Sequence, residues 1–269
     1  MPQNITVDDR SPLVNYSGNW VANFKQYPLN DTMSDRYYDS TFHSSKSPGD
    51  SVSVKFNGTA IYIYGAMRPD RGYYTVTVDD GQKLRLDAYA SKQPNGDDGL
   101  FRQLLFSKAD LEDRHHEVTL TNDSHERDAR PFVDIDYIMW TSSVKTNAGA
   151  SDFDDGHPSW KFNGNWTMRA PNATNNQTVH STRSETIGSY ATLTFQGDAI
   201  YFYGPIGRAH GLYNITLDNQ EPITLNGLYT RAHAETILYF ADSLGPGPHE
   251  LMVTNIENKV FSVDYARVL

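Results

Sequence analysis

The chain has 269 residues, length enough for two domains that each bury a core without a disulfide or a metal. Its net charge of -10 argues against nucleic acid, whose phosphates call for clustered Lys and Arg, and the absence of cysteine removes disulfide frameworks and thiolate chemistry. No run of eighteen or more apolar residues exists in the sequence to span a bilayer.

From the N-terminus, Asp8 and Asp9 come first, then Asn15-Tyr16-Ser17-Gly18-Asn19-Trp20. Val52 to Phe56 alternates apolar and polar residues, as does Tyr74 to Val78; a period of two predicts strands with one face on a core. Asn57-Gly58 between such runs reads as a tight hairpin turn, and Asp79-Asp80-Gly81 as the end of the next strand. Lys108 to Glu112 is expected to form one helical turn, and nothing else holds a 3.6-residue period. His115 and His116 lie where a strand begins, so they face opposite ways and cannot chelate together.

The second half then repeats the first. Lys161-Phe162-Asn163-Gly164-Asn165-Trp166 echoes the first motif, and Phe195 to Gly204 echoes Phe56 to Gly65. Gly211 to Asp218 echoes Gly72 to Asp79, His249-Glu250-Leu251 echoes His116-Glu117-Val118, and Val263-Asp264-Tyr265 echoes Ile135-Asp136-Tyr137. Five matches in register mean one domain duplicated rather than a solenoid of short units. The expected organisation is domains at 1–142 and 152–269 joined by a linker at 143–151. Thr192 to Phe195 and Asn214 to Leu217 are the second copy's alternating strands, with Gln196-Gly197-Asp198 and Asp218-Asn219 as their turns. Short strands with frequent turns predict an all-β fold of two tandem β-sandwiches.

Nine Asn-X-Ser/Thr acceptors occur, at Asn4, Asn15, Asn30, Asn57, Asn122, Asn165, Asn172, Asn176 and Asn214. Chance placement gives roughly three, so the excess predicts an N-glycosylated, secreted or cell-surface chain. Met1 to Asn4 lacks the segments of a signal peptide, and the reading that reconciles the two is a mature ectodomain whose signal was removed.

The order Phe-X-Gly-(Thr/Asp)-Ala-Ile-Tyr-(Ile/Phe)-Tyr-Gly, then Gly-X-Tyr-X-(Val/Ile)-Thr-(Val/Leu)-Asp, and finally (Ile/Val)-Asp-Tyr resembles the galactose-binding-domain-like jelly roll. That fold serves carbohydrate-binding modules and accessory domains of secreted enzymes, and tandem copies resembling these occur in uncharacterised fungal surface proteins. The resemblance covers nearly all of both halves and is specific for fold, whereas one fold hosts many functions. It implies a structural calcium, Ca2+, joining first and last strands through Asp136 and Asp264, with Asp9 and Asp155 as partners by copy symmetry. The other reading of these carboxylates is that they cap turns and bond to backbone amides or arginine.

The resemblance also implies a carbohydrate partner held by edge loops of each sandwich. Arg and Tyr suit hydroxyl-rich ligands, and the candidate binding residues are Arg68, Asp70, Arg71, Tyr89 and Arg102 in the first copy, with Arg208, His210, Tyr229 and Arg231 in the second. Tyr62, Tyr64, Tyr201 and Tyr203 are expected on the outer faces of their strands, opposite Ile61, Ile63, Ile200 and Phe202. No nucleophile elbow, zinc-protease helix or phosphate loop is present, so the reading is a non-catalytic module. Two alternatives stand beside it: an adhesion ectodomain that docks a protein, and a glycoside hydrolase with a carboxylate pair between the copies.

Overall fold

The computed structural model describes residues 2–24, 31–125, 129–144, 149–169, 178–182 and 186–269. The chain divides into two compact units, Pro2–Ser143 and Val144–Leu269. The linker expected at 143–151 lies partly outside the described residues.

Unit 1 contains β1 (Gln3–Asp8), β2 (Asn15–Ser17), β3 (Val21–Phe24), β4 (Thr41–Ser45), β5 (Ser51–Gly58) and β6 (Ala60–Met67). It continues with β7 (Tyr73–Val78), β8 (Leu84–Asp87), β9 (Leu100–Lys108), β10 (Arg114–Asn122), β11 (Val133–Ile135) and β12 (Tyr137–Ser142). A four-stranded sheet in the order β1-β12-β6-β9 and a five-stranded sheet β2-β5-β10-β7-β8 form its two layers, with a small sheet β11-β4-β3 at one side. The core lies between the layers: Ile5, Val7, Ile61, Ile63, Ile138 and Trp140 from one, Val52, Val54, Phe56, Val76, Val118 and Leu120 from the other. Phe56 meets Trp140 across the gap, ring centroids 6.2 Å apart. Truncating a side chain as large and buried as Trp140 to Ala costs about 3–5 kcal/mol.

Unit 2 contains β13 (Ser151–Asp154), β14 (Trp160–Asn163), β15 (Trp166–Arg169), β16 (Val179–Thr182), β17 (Tyr190–Gln196) and β18 (Ile200–Ile206). After these come β19 (Leu212–Leu217), β20 (Ile223–Asn226), β21 (His233–Ala241), β22 (Pro248–Asn255), β23 (Ser262–Val263) and β24 (Tyr265–Val268). Its sheets run β13-β24-β18-β21, β14-β17-β22-β19-β20 and β15-β16-β23, which corresponds strand for strand to unit 1. The all-β, two-unit architecture expected from the sequence is therefore what the chain adopts. Ile61, Ile63, Ile200 and Phe202 point inward as predicted, and Tyr62, Tyr64 and Tyr203 keep partial exposure on the other face.

Three local expectations are corrected. Asn57-Gly58 does not close a hairpin: β5 and β6 lie in different sheets, so the turn carries the chain from one layer to the other. Gly58 is needed there because φ is +154° and a Cβ would sit 2.2 Å from the Thr141 carbonyl oxygen. Gly197 makes the same crossing between β17 and β18 at φ +157°, against Val268 and Leu269. Lys108 to Glu112 forms no helical turn; β9 runs through Lys108, Asp110 takes φ +58°, and the Leu111 amide donates to the Thr59 carbonyl at 2.9 Å. Single 3-10 turns appear instead at Ser34–Arg36 and Tyr38–Ser40.

The third correction concerns Asn122, which is 1% exposed and cannot present its amide to a glycosylating enzyme. Its Nδ2 donates to the Pro131 and Ser45 carbonyls at 3.1 and 3.3 Å, and Asn255 makes the equivalent bond to the Lys259 carbonyl at 2.9 Å. It is a loop clamp repeated in both units. Asn4, Asn15 and Asn165 are exposed, and Asn57 and Asn214 half-buried, while Asn30, Asn172 and Asn176 lie outside the described residues.

Candidate functional site

At one end of unit 1 the loops following β6, β8 and β10 converge. Parallel backbone bridges Arg68–Tyr89 and Arg71–Phe132 tie the three together. Gly65, where a Cβ would clash with the Asp134 carbonyl, lies between register shifts that bend β6 against β9 below this rim.

Beneath the rim lies a locked network around Tyr37, which is fully buried. The Tyr37 hydroxyl donates to Asp134 Oδ2 at 2.8 Å, and Arg71 Nε donates to the same oxygen at 2.7 Å. Asp134 Oδ1 accepts from the Ala66 amide at 2.7 Å. Arg68 reaches Asp31 at 2.6 Å and Asp98 at 3.0 Å, and Arg71 also bonds Asp70 at 2.7 Å. Phe101 and Phe132 lie under the two guanidiniums at 5.6 and 5.5 Å. Burial and the neighbouring Asp134 push the Tyr37 phenol well above its ordinary pKa, so it stays a donor. Arg102 approaches from another side, donating to the Arg36 and Tyr37 carbonyls at 3.1 and 2.9 Å.

Above this network is an exposed patch on the β7–β8 edge. Tyr89 is 48% exposed. The Arg130 guanidinium lies 5.0 Å from its ring and 5.1 Å from that of Tyr73, and Arg85 sits 3.8 Å from Tyr73 on the same strand face. Each guanidinium has a carboxylate: Arg130 bonds both oxygens of Asp87 at 2.8 and 3.1 Å, and Arg85 bonds Asp123 at 2.5 Å. The Tyr89 amide donates to Asp87 Oδ1 at 3.0 Å, fixing ring and carboxylate together. An aromatic ring bordered by paired donors and acceptors in partial solvent can stack on an apolar ring face while bonding hydroxyls at its edge.

The predicted residues thus divide. Arg68, Asp70 and Arg71 gather around Tyr37, Arg102 braces that residue's backbone, and Tyr89 alone of the five joins the exposed patch. Sequence reasoning missed Asp31, Tyr37, Tyr73, Arg85, Asp87 and Arg130. Arg130 had one available signal: it lies in the loop 122–132, longer than its counterpart 255–260.

In unit 2 the corresponding positions differ. Gly207 and His210 make the bridges that Arg68 and Arg71 make in unit 1, and Leu228 and Val260 stand for Tyr89 and Phe132. His210 Nε2 meets Ser262 Oγ at 3.2 Å where Arg71 meets Asp134, and burial lowers the His210 pKa to about 4. Arg208 Nε donates to the Thr230 carbonyl at 2.6 Å, Tyr229 is buried with its ring 5.4 Å from His233, and Arg231 is exposed. Leu212, Thr224 and Asn226 occupy the strand positions of Tyr73, Arg85 and Asp87.

The four calcium candidates are all buried. Asp9 accepts from Thr41 Oγ1 at 2.6 Å through Oδ1 and lies 2.6 Å from His43 Nδ1 through Oδ2; Asp155 repeats this with Thr178 and His180, both at 2.6 Å. The Tyr38 amide donates to Asp136 Oδ1 at 2.8 Å. Calcium takes six to eight oxygen ligands, whereas here both oxygens of Asp9 and of Asp155 already face a hydroxyl and an imidazole. Among the described residues no group of three or more His, Asp or Glu is arranged to hold a metal ion. The contacts of Asp9 and Asp155 agree with the capping reading, while Asp136 Oδ2 is buried with no hydrogen-bond partner among the described residues. Burial, with Asp9 adjacent, pushes the Asp8 carboxyl up to about 9, and burial pushes Asp9 and Asp136 up to about 7 and 8. Burial also lowers His43 to about 3.

No family model matches the chain. It is 25% identical over 271 residues to an A type blood alpha-D-galactosamine galactosaminidase of Flavonifractor plautii, a match covering 98% of this chain and 22% of that protein. The chain thus spans under a quarter of that curated relative. Among solved structures, a Paenibacillus xanthan lyase aligns over 94% of this chain and 25% of its own, with 12% identity and a TM-score of 0.36. The extracellular domain of ANXUR1 from Arabidopsis thaliana aligns over 98% and 96%, with 12% identity and a TM-score of 0.33. Superpositions this loose fix nothing about the site.

Proposed function

We propose that the chain is a non-catalytic carbohydrate-binding module, galactose-binding-like in type, that engages a cell-wall or glycoprotein glycan through its edge loops. The observation that carries this reading is the exposed ring of Tyr89 set beside the Arg130–Asp87 pair, with Tyr73 and Arg85 extending the patch. Sugars present apolar ring faces and a fringe of hydroxyls, and this surface offers a counterpart to each.

The similarity to a galactosaminidase supports a carbohydrate-related role, and the role proposed for this stretch is to hold a glycan rather than cleave it. The excess of Asn-X-Ser/Thr acceptors, of which Asn4, Asn15 and Asn165 are exposed, supports placing the chain outside the cell, secreted or on a cell surface. Among the described residues no helix is long and apolar enough to cross a membrane.

The test is affinity electrophoresis of the full chain through gels containing galactan, mannan, laminarin, xylan, polygalacturonate or xanthan, with release of reducing sugar followed in parallel. The proposal expects retardation on at least one polymer without sugar release. Migration unchanged by every polymer, or steady hydrolysis, contradicts it.

A further inference from the structure

We infer that the glycan is uncharged and that unit 1 alone receives it, at the patch formed by Tyr73, Arg85, Asp87, Tyr89 and Arg130. This rests on the carbohydrate-binding reading and narrows it to a ligand class and a position.

The charge pairing of the rim argues against an ionic ligand. Among the described residues, both arginines of the exposed patch face a carboxylate, Arg85 with Asp123 and Arg130 with Asp87. The two beneath it are likewise engaged, Arg68 with Asp31 and Asp98, Arg71 with Asp70 and Asp134. A uronate or sulfate would have to displace one of these carboxylates, exchanging one ion pair for another. A chain of net charge -10 also repels polyanions at longer range. An amino sugar meets the mirror-image obstacle, since the carboxylates are held by guanidiniums.

A hydroxyl pair has no such obstacle. Each hydroxyl both donates and accepts, and a guanidinium beside a carboxylate presents a donor and an acceptor side by side. Asp87 is bonded by Arg130 and the Tyr89 amide, which leaves further acceptor capacity on its oxygens and further N–H groups on Arg130. The half-exposed Tyr89 ring supplies the apolar surface next to them.

At the equivalent described positions, unit 2 lacks each part of this arrangement. Leu228 takes the place of Tyr89, Asn226 that of Asp87, Thr224 that of Arg85 and Leu212 that of Tyr73. Asn258 stands two residues before Val260, as Arg130 stands two before Phe132. Leu228 is as exposed as Tyr89, so the position is equally open and only its chemistry has changed.

The experiment compares the full chain with Tyr89→Leu, which copies the unit 2 residue, and with Leu228→Ala, at low and high sodium chloride. The probes are the neutral polymers galactan, mannan, laminarin and xylan, and the acidic polymers polygalacturonate and xanthan. Expected are binding to at least one neutral polymer with an affinity unchanged by salt, a loss of tenfold or more in Tyr89→Leu at an unchanged melting temperature, and no change in Leu228→Ala. Binding only to acidic polymers, weakening steeply with salt, overturns the inference while the carbohydrate-binding reading stands. Neutral binding that survives Tyr89→Leu, or that is lost in Leu228→Ala, overturns the placement in unit 1. Absence of binding to any polymer removes both the inference and the reading beneath it.

Discussion

The two units share a strand order and differ in residue type at the equivalent positions of the rim. Arg68 and Arg71 become Gly207 and His210, Asp134 becomes Ser262, Tyr89 becomes Leu228, and in the turn after β1 Arg10 becomes Gly156. What survives the exchange is the set of parts that build the sandwich: the crossing glycines Gly58 and Gly197, the loop clamps Asn122 and Asn255, and the turn-bonding His116 and His249. The scaffold tolerates either rim, so the charged network of unit 1 is not required for the fold, and a surface role is where its cost can be recovered.

The largest expected effect breaks that network. Arg71 has a side chain 4% exposed and Asp134 is fully buried, so Arg71→Ala leaves an uncompensated buried carboxylate and costs about 3–5 kcal/mol. His210→Ala at the equivalent site removes one neutral hydrogen bond and costs about 1 kcal/mol. Urea denaturation of both variants checks the ratio; equal losses would mean that the two rims are energetically alike.

A second contrast is read by pH. Asp8, Asp9 and Asp136 have folded pKa values above the ordinary carboxylate range, so the stability they contribute is present at low pH and lost as pH rises through about 7 to 9. His43 acts in the opposite sense, but its contribution is lost only as pH falls below 6.5 toward about 3. Burial acts to lower the His249 pKa, but its bonds to the Gly245 carbonyl and Asp218 outweigh that and raise it, so His249 adds to the loss on the alkaline side. Between pH 6.5 and 9 the melting temperature should therefore fall, by roughly 5 °C or more, and Asp8→Asn should flatten the slope. A melting temperature that rises over this interval would refute the buried carboxyl box, with Arg10 bonded to Asp8 and Asp39 at its edge.

The smallest effect expected is none. Millimolar calcium should leave the melting temperature within error, because the Asp9 and Asp155 oxygens are committed to Thr41, His43, Thr178 and His180. A shift of several degrees, reversed by a chelator, would restore the calcium reading of these carboxylates.

The sequence revealed what is local. A period of two over Val52 to Phe56 marks part of β5 because a strand's faces alternate whatever it pairs with. It could not say which sheet each strand joins: Asn57-Gly58 has the chemistry of a hairpin turn, yet its geometry is dictated by Thr141, a residue far along the chain. The site was legible in the same measure. Arg68, Asp70, Arg71 and Tyr89 were visible as loop residues, but Tyr37 meets Asp134 across 97 positions and Arg130 meets Asp87 across 43. Residue type alone did not separate Arg71, sealed beneath the rim, from Arg130, which borders the exposed ring.

The central claim is that one rim of two binds a neutral glycan, and stoichiometry tests it most directly. Isothermal titration of the full chain with an oligosaccharide of the retarding neutral polymer should give one ligand per chain, with no heat in Tyr89→Leu and an unchanged isotherm in Leu228→Ala. Two ligands per chain, or full binding by Tyr89→Leu, would contradict it.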